Sequence, residues 1–189
     1  KALVERGYRV AVADQHEVEG GHERRVSRVV TPGTLVDPSG EDARYLATVV
    51  EADDGSVGLA FLDVTTGRFH ATTLSGADAR TRARTELYRF DPTEVLPGPD
   101  LRNDDDFLAG VRERSTATFT LHDAESFAPA RARHVLREQF GGAADSLVDG
   151  VAVRAAGAAL AYVEETGAGV LASVTRLRAY EPDEHVSLD

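Results

Sequence analysis

The sequence predicts an α/β fold, a mixed sheet with flanking helices, and three observations carry that prediction. Gly58 to Phe69, GLAFLDVTTGRF, alternates and then fills with apolar residues (Leu59, Phe61, Leu62, Val64), turns at Thr65-Thr66-Gly67, and resumes with Phe69, Ala71 and Thr73 alternating against Arg68, His70 and Thr72. That is the pattern of two antiparallel strands folded back on each other. Behind this hairpin, helical and strand periodicities alternate along the chain, the pattern of a layered α/β domain. The chain has 189 residues, of which 42% are hydrophobic, enough to pack a core.

Each element has a local justification. Gly7 suits the left-handed position after a helix ending at Arg6. Tyr8, Val10 and Val12 then alternate as a strand, and the polar stretch from Asp14 to Arg25, with Gly20-Gly21, is expected to break it. Val26, Val29 and Val30 predict a short strand that Pro32-Gly33 ends. Val36 to Asp42 reads as a linker, and Leu46 to Val50 as a strand entering a turn at Asp53-Asp54-Gly55. Ala77 to Phe90 is predicted helical, with Ser75 and Asp78 as a capping box, Ala79, Ala83, Leu87 and Phe90 on one face, and Asp91-Pro92 as its stop. Glu94 to Leu96 is a short buried strand. Asn103 is the expected cap of a helix burying Phe107, Leu108 and Val111. Thr116 to Leu121 is read as a strand with Ala117, Phe119 and Leu121 on one face. A helix from Pro129 to Phe140 buries Ala132, Val135, Leu136 and Phe140, and an Ala-rich helix from Val151 to Glu165 buries Val153, Ala156, Leu160 and Val163. Val174 to Tyr180 and Val186 to Leu188 are short apolar pieces with little core of their own.

Composition narrows the function classes. The formal charge is −11, from 32 acidic and 21 basic residues, and every strong base after Lys1 is Arg. Such a balance argues against a domain whose main task is to neutralise phosphates, and it suits a chain kept soluble in high salt, hence a salt-adapted, halophilic source. With no Cys there is neither disulfide nor thiolate chemistry. No apolar run approaches membrane-spanning length and no signal peptide opens the chain, which predicts a cytoplasmic protein. Lys1-Ala2-Leu3-Val4 enters in mid-helix without an initiator Met, so a fragment of a longer protein is expected.

The ordered set GYRVAVADQ, ERRVSRVVTPGT, GLAFLDVTTGRF and FDPTEVL resembles the MutS family of DNA mismatch-recognition ATPases, and the likeness covers nearly the whole chain. VTPGT and LDVTTGRF are its most specific parts. The resemblance implies that residues 1–35 are the tail of the mismatch-binding domain, 36–43 a linker, 44–165 the connector domain and 166–189 the start of the lever and core region. It implies a ribonuclease-H-like connector, a choice periodicity alone does not make among three-layer α/β folds. It further implies a non-catalytic module that passes state between mismatch clamp and ATPase and receives MutL, within a parent that binds mismatched duplex DNA, uses ATP and Mg²⁺ and forms a homodimer.

Candidate chemistry is sparse. Asp63, on the first strand of the hairpin, has two readings. In ribonuclease-H-like nucleases a carboxylate there joins others to hold two Mg²⁺ ions, which is the alternative function, a divalent-metal nuclease centred on Asp63. The preferred reading is that its oxygens accept N–H groups of the following turn, because Thr116 to Leu121 supplies no partner acid and Asp123 lies beyond it. Asp104-Asp105-Asp106 reads as a helix cap and solvated face rather than a metal site. His16, His22, His70, His122, His134 and His185 show no zinc spacing. Neither Gly-x-Ser-x-Gly nor a phosphate loop occurs, and no Phe-x-Glu wedge of the MutS type, so no catalytic, cofactor or metal residue is assigned and the nucleotide site is expected outside the fragment. Basic groups cluster at Arg24, Arg25 and Arg28, at Arg80, Arg82 and Arg84, and at Arg131, Arg133 and Arg137. Most such groups are solvated and paired with nearby acids. By the resemblance, Arg131, Arg133, His134 and Arg137 are the candidate surface for MutL.

Overall fold

A computed structural model describes residues 2–18, 21–36, 43–167 and 169–182. The predicted hairpin is at its centre: β4 (Val57–Asp63) and β5 (Arg68–Leu74) pair antiparallel, and β3 (Tyr45–Glu51) pairs antiparallel with β4 on the other side. Parallel strands extend this meander on both edges. β6 (Glu94–Pro97) joins β3, β7 (Thr118–Phe119) joins β6, and β8 (Arg176–Ala179) joins β5, giving the order β7-β6-β3-β4-β5-β8. This is the predicted mixed sheet.

The period-2 alternation of the strands divides the core into two layers. Tyr45, Ala47, Val49, Leu59 and Phe61 pack with helices α1 (Ala79–Phe90) and α2 (Asp105–Arg112). Leu46, Val50, Ala60, Leu62 and Phe69 pack under α3 (Pro129–Phe140) and α4 (Ala152–Thr166) on the opposite face. Strands covered on both faces are apolar at nearly every position, which is why β4 reads as a filled run instead of a clean alternation. α4 is buried almost all round because it lies against the sheet and α3 together, and its small side chains allow both contacts.

Six local expectations change. The polar stretch from Asp14 to Arg25 does not break the first strand: β1 (Val10–Val18) and β2 (Gly21–Val30) form a long antiparallel ribbon, with Asp14 opposite Arg25 and His16 opposite Glu23. Cross-strand pairing of a solvated ribbon needs no apolar face, so its pattern is invisible to a hydrophobic search. The Ser75/Asp78 capping box is not formed; Asp78 occupies the cap position without a side-chain cap bond. Asp104, not Asn103, caps α2, accepting the Phe107 N–H at 2.9 Å. The strand expected over Thr116 to Leu121 shrinks to Thr118–Phe119, with Leu121 exposed, because its neighbour β6 is only four residues long. Val174 to Tyr180 does have a core of its own: β8 is the edge strand beside β5, Leu177 and Val174 are buried, and Tyr180 packs near Phe90. The helix expected to end at Arg6 is, among the described residues, only a 3-10 turn over Val4–Arg6, closed by Gly7 in the left-handed conformation. Most of the 36–43 linker and the piece Val186 to Leu188 lie outside the described residues.

Candidate functional site

Asp63 closes β4, and almost none of it is exposed. Its Oδ1 accepts the Thr65 N–H at 2.9 Å and, more distantly, those of Thr66 and Arg44, both at 3.4 Å. The Thr66 hydroxyl donates to Oδ2. Gly67 completes the turn at φ 74°, with its N–H on the Asp63 carbonyl at 2.8 Å. The carboxylate therefore fixes the turn, the preferred reading. No group of three His, Cys, Asp or Glu side chains among the described residues is placed to hold a metal ion. Nothing here supports the nuclease alternative.

The Arg clusters separate by environment. Arg80 on α1 is held by Glu51 at 2.5 Å and by Asp104 at 2.8 Å, and those two carboxylates raise its pKa further above an already high value. Arg25 on the ribbon binds Glu23 at 2.6 Å. These are ordinary surface pairs.

The candidate partner residues stand on α3. Pro129 starts this helix at a position where its missing N–H is not needed, and Gly141 ends it. Ala132, Val135 and Leu136 turn inward, so Arg131, Arg133, His134 and Arg137 are left outward and exposed. The 3.6-residue period alone sets this division. Arg137 is held by a forked contact to Asp145, with Nη2 to Oδ2 at 2.8 Å, and that carboxylate raises its pKa. His134 Nε2 lies 3.4 Å from Glu138 one turn on. Arg131 and Arg133 have no hydrogen-bond or ion-pair partner among the described residues. Arg133 and Arg137 also border a hollow of about 300 Å³ floored by Leu136, Val148 and Val153 and rimmed by Asp145 and Asp149. The face thus combines two guanidinium groups unpaired among the described residues with a hollow of mixed charged and apolar lining, a combination that suits a protein partner carrying both acidic and apolar side chains.

One buried polar centre went unnoticed in the sequence. Glu94, fully buried at the start of β6, accepts the Gly33 N–H at 2.7 Å, the Thr120 hydroxyl at 2.5 Å and the Tyr162 hydroxyl at 2.7 Å. Burial and the neighbouring Glu94 hold the Tyr162 phenol well above its ordinary pKa, so it stays a donor. His122 stacks edge-on to Tyr162 at 5.1 Å, and burial lowers its pKa. The signal available was weak: a polar residue opening an apolar run that the sequence marks as buried.

Against known families, residues 44–175 match the model of MutS domain II and residues 1–39 that of MutS domain I. The chain is 59% identical, over its whole length, to DNA mismatch repair protein MutS 1 of Haloarcula marismortui, and 58% identical to MutS 1 of Halobacterium salinarum. A bacterial relative, DNA mismatch repair protein MutS of Symbiobacterium thermophilum, is 36% identical over 99% of the chain. The chain spans about a fifth of the length of these relatives, 21% to 22%. The acid-rich, Arg-dominated composition agrees with the salt-adapted archaea that supply the first two relatives. The match across the sheet and its helices, reinforced at the ribbon, shows that the chain belongs to the MutS family of DNA mismatch repair proteins.

Proposed function

We propose that this chain is the connector module of a MutS-type mismatch recognition protein, linking the mismatch-binding part to the ATPase and presenting the outer face of α3 to MutL. The observation that carries the reading is that face: Arg131 and Arg133 stand exposed and without partners among the described residues, Arg133 at the edge of a hollow lined by charged and apolar side chains, on a domain matched to MutS domain II. Residues 1–35 belong to the mismatch-binding side, 44–165 to the connector and 166–189 to the approach to the lever and core. ATP, Mg²⁺ and the mismatched duplex are handled by other parts of a homodimeric parent in the cytoplasm, and this module itself is non-catalytic. No described helix is long and apolar enough to cross a membrane.

Calorimetry or pull-down with the MutL of the same cell, at fixed high salt, tests the role. Reversing these two charges, Arg131→Glu with Arg133→Glu, is expected to weaken binding about tenfold or more, because acidic partner groups then meet like charge. Unchanged affinity, or no binding by the wild-type chain, overturns the α3 assignment.

A further inference from the structure

The chain passes from exposure to burial over the last two residues of the ribbon, Val29 and Val30, which are half-buried. Along the ribbon nearly every residue is exposed, whereas Thr31, Pro32, Gly33 and Thr34 are all buried. The turn they form is internally tied. The Thr31 N–H donates to Thr34 Oγ1 at 3.2 Å, the Thr34 N–H to the Thr31 carbonyl at 3.2 Å, and the Thr34 hydroxyl to the Thr166 carbonyl at the end of α4 at 3.3 Å.

What holds this turn to the sheet is Glu94. One of its oxygens takes the Gly33 N–H, and the other takes Thr120 and Tyr162, so β6, the residue after β7, α4 and the turn meet on a single carboxylate. No ion pair to Glu94 occurs among the described residues; neutral donors alone offset its desolvation, so losing Gly33 leaves Oε2 without its donor and losing Thr120 or Tyr162 leaves Oε1 with one of two. The approach is also as close as a chain can make it. A Cβ on Gly33 would lie 2.7 Å from both Cβ and Oε2 of Glu94 and 3.0 Å from Leu46 Cδ1. Gly33 belongs to the segment matched to MutS domain I and Glu94 to that matched to domain II.

We infer that Glu94 is a positioning residue: it clasps the 31–34 turn to the sheet and thereby sets the angle at which the β1–β2 ribbon leaves it. The mechanical junction between the two domain segments is then this clasp, not the 36–43 stretch that follows. The inference rests on the proposed coupling role for its meaning, because a shift on the mismatch side reaches the sheet only through a stiff joint. Its test needs neither DNA nor MutL.

The chain has no Cys, so Gln15→Cys on the ribbon and Ala109→Cys on α2 give the only two thiols for spin labels. In the 189-residue chain the label-to-label distance distribution is expected to be narrow. Gly33→Ala, which pries the turn off while leaving the carboxylate, and Glu94→Gln, which puts an amide donor against a donor, are each expected to broaden it about twofold or more while the β3–β4 amides stay protected from exchange. Should Glu94→Gln lose that protection, Tyr162→Phe, which removes one donor, replaces it with the same expected broadening. Val135→Ala, a core truncation under α3 away from the clasp, must leave the width unchanged. A broad wild-type distribution, an unchanged width in the clasp variants, or equal broadening in Val135→Ala overturns the clasp and leaves the MutL assignment untouched. Broadening as expected in a chain that fails to bind MutL overturns the proposed role alone.

Discussion

Asp63 is the residue whose sequence context allowed two chemistries, and its four donors decide between them. The N–H groups of Thr65, Thr66 and Arg44 and the Thr66 hydroxyl all point at a carboxylate that is 1% exposed. Removing it with Asp63→Ala leaves buried donors unpaired, at roughly 1–3 kcal/mol for the group. A urea titration of that variant should show a loss of about this size, with Asp63→Asn losing less because its carbonyl oxygen still faces Oδ1's donors. Full stability in Asp63→Ala would mean that water replaces the carboxylate and the turn is not held by it. This residue was legible because its partners lie two and three positions ahead, within reach of a turn rule. Glu94 was not, because its donors Gly33 and Tyr162 are 61 and 68 residues away, and no local pattern encodes contacts at that separation.

Among the elements, legibility follows burial and capping chemistry. α3 was readable end to end: Pro129 and Gly141 mark its limits and Ala132, Val135 and Leu136 mark its inner face. The ribbon was lost because it packs on nothing over most of its length, and β8 because four residues with one buried side chain, Leu177, make too short a signal. The contact that holds α3, and with it the candidate partner face, is a small-residue crossing. A Cβ at Gly157 on α4 would stand 2.4 Å from both Cα and Cβ of Ala132 and 2.8 Å from its carbonyl oxygen. Gly157→Ala would gain up to about 1 kcal/mol of helix propensity. Against this stands an overpacking cost of about 1–3 kcal/mol, toward its upper end because backbone and not a flexible side chain must move. The clash should win: thermal unfolding is expected at lower temperature in Gly157→Ala, and an unchanged or raised Tm would show that the helices separate without loss.

At the scale of the whole molecule, pH sensitivity comes from two histidines on opposite faces of the sheet. His70 on β5 stands near the rings of Phe90 and Tyr180, its Nδ1 without a hydrogen-bond partner among the described residues; burial lowers its pKa, and Arg178, Arg68 and Arg89 lower it further. His122, against Tyr162 and Phe127, is lowered first by burial and also by Arg9 and Arg102, while Glu165 and Asp123 oppose the shift. Unfolded, both return to an ordinary value of about 6.5. Between that value and the depressed folded ones the unfolded chain binds more protons, so stability rises with pH across this window. It is fully present above about pH 6.5 and is lost as the pH falls below it. Burial leads in both cases, so the loss should persist in molar salt, where the Arg contributions are screened. Unfolding temperatures compared between neutral and mildly acidic buffer at constant high salt should fall for the wild type. The double variant His70→Gln with His122→Gln should show a flatter dependence, whatever its absolute stability. An equal slope in the two proteins would place the acid sensitivity on the carboxylates instead, among them Asp104, whose pKa the Phe107 N–H lowers and whose contribution fades only toward stronger acid.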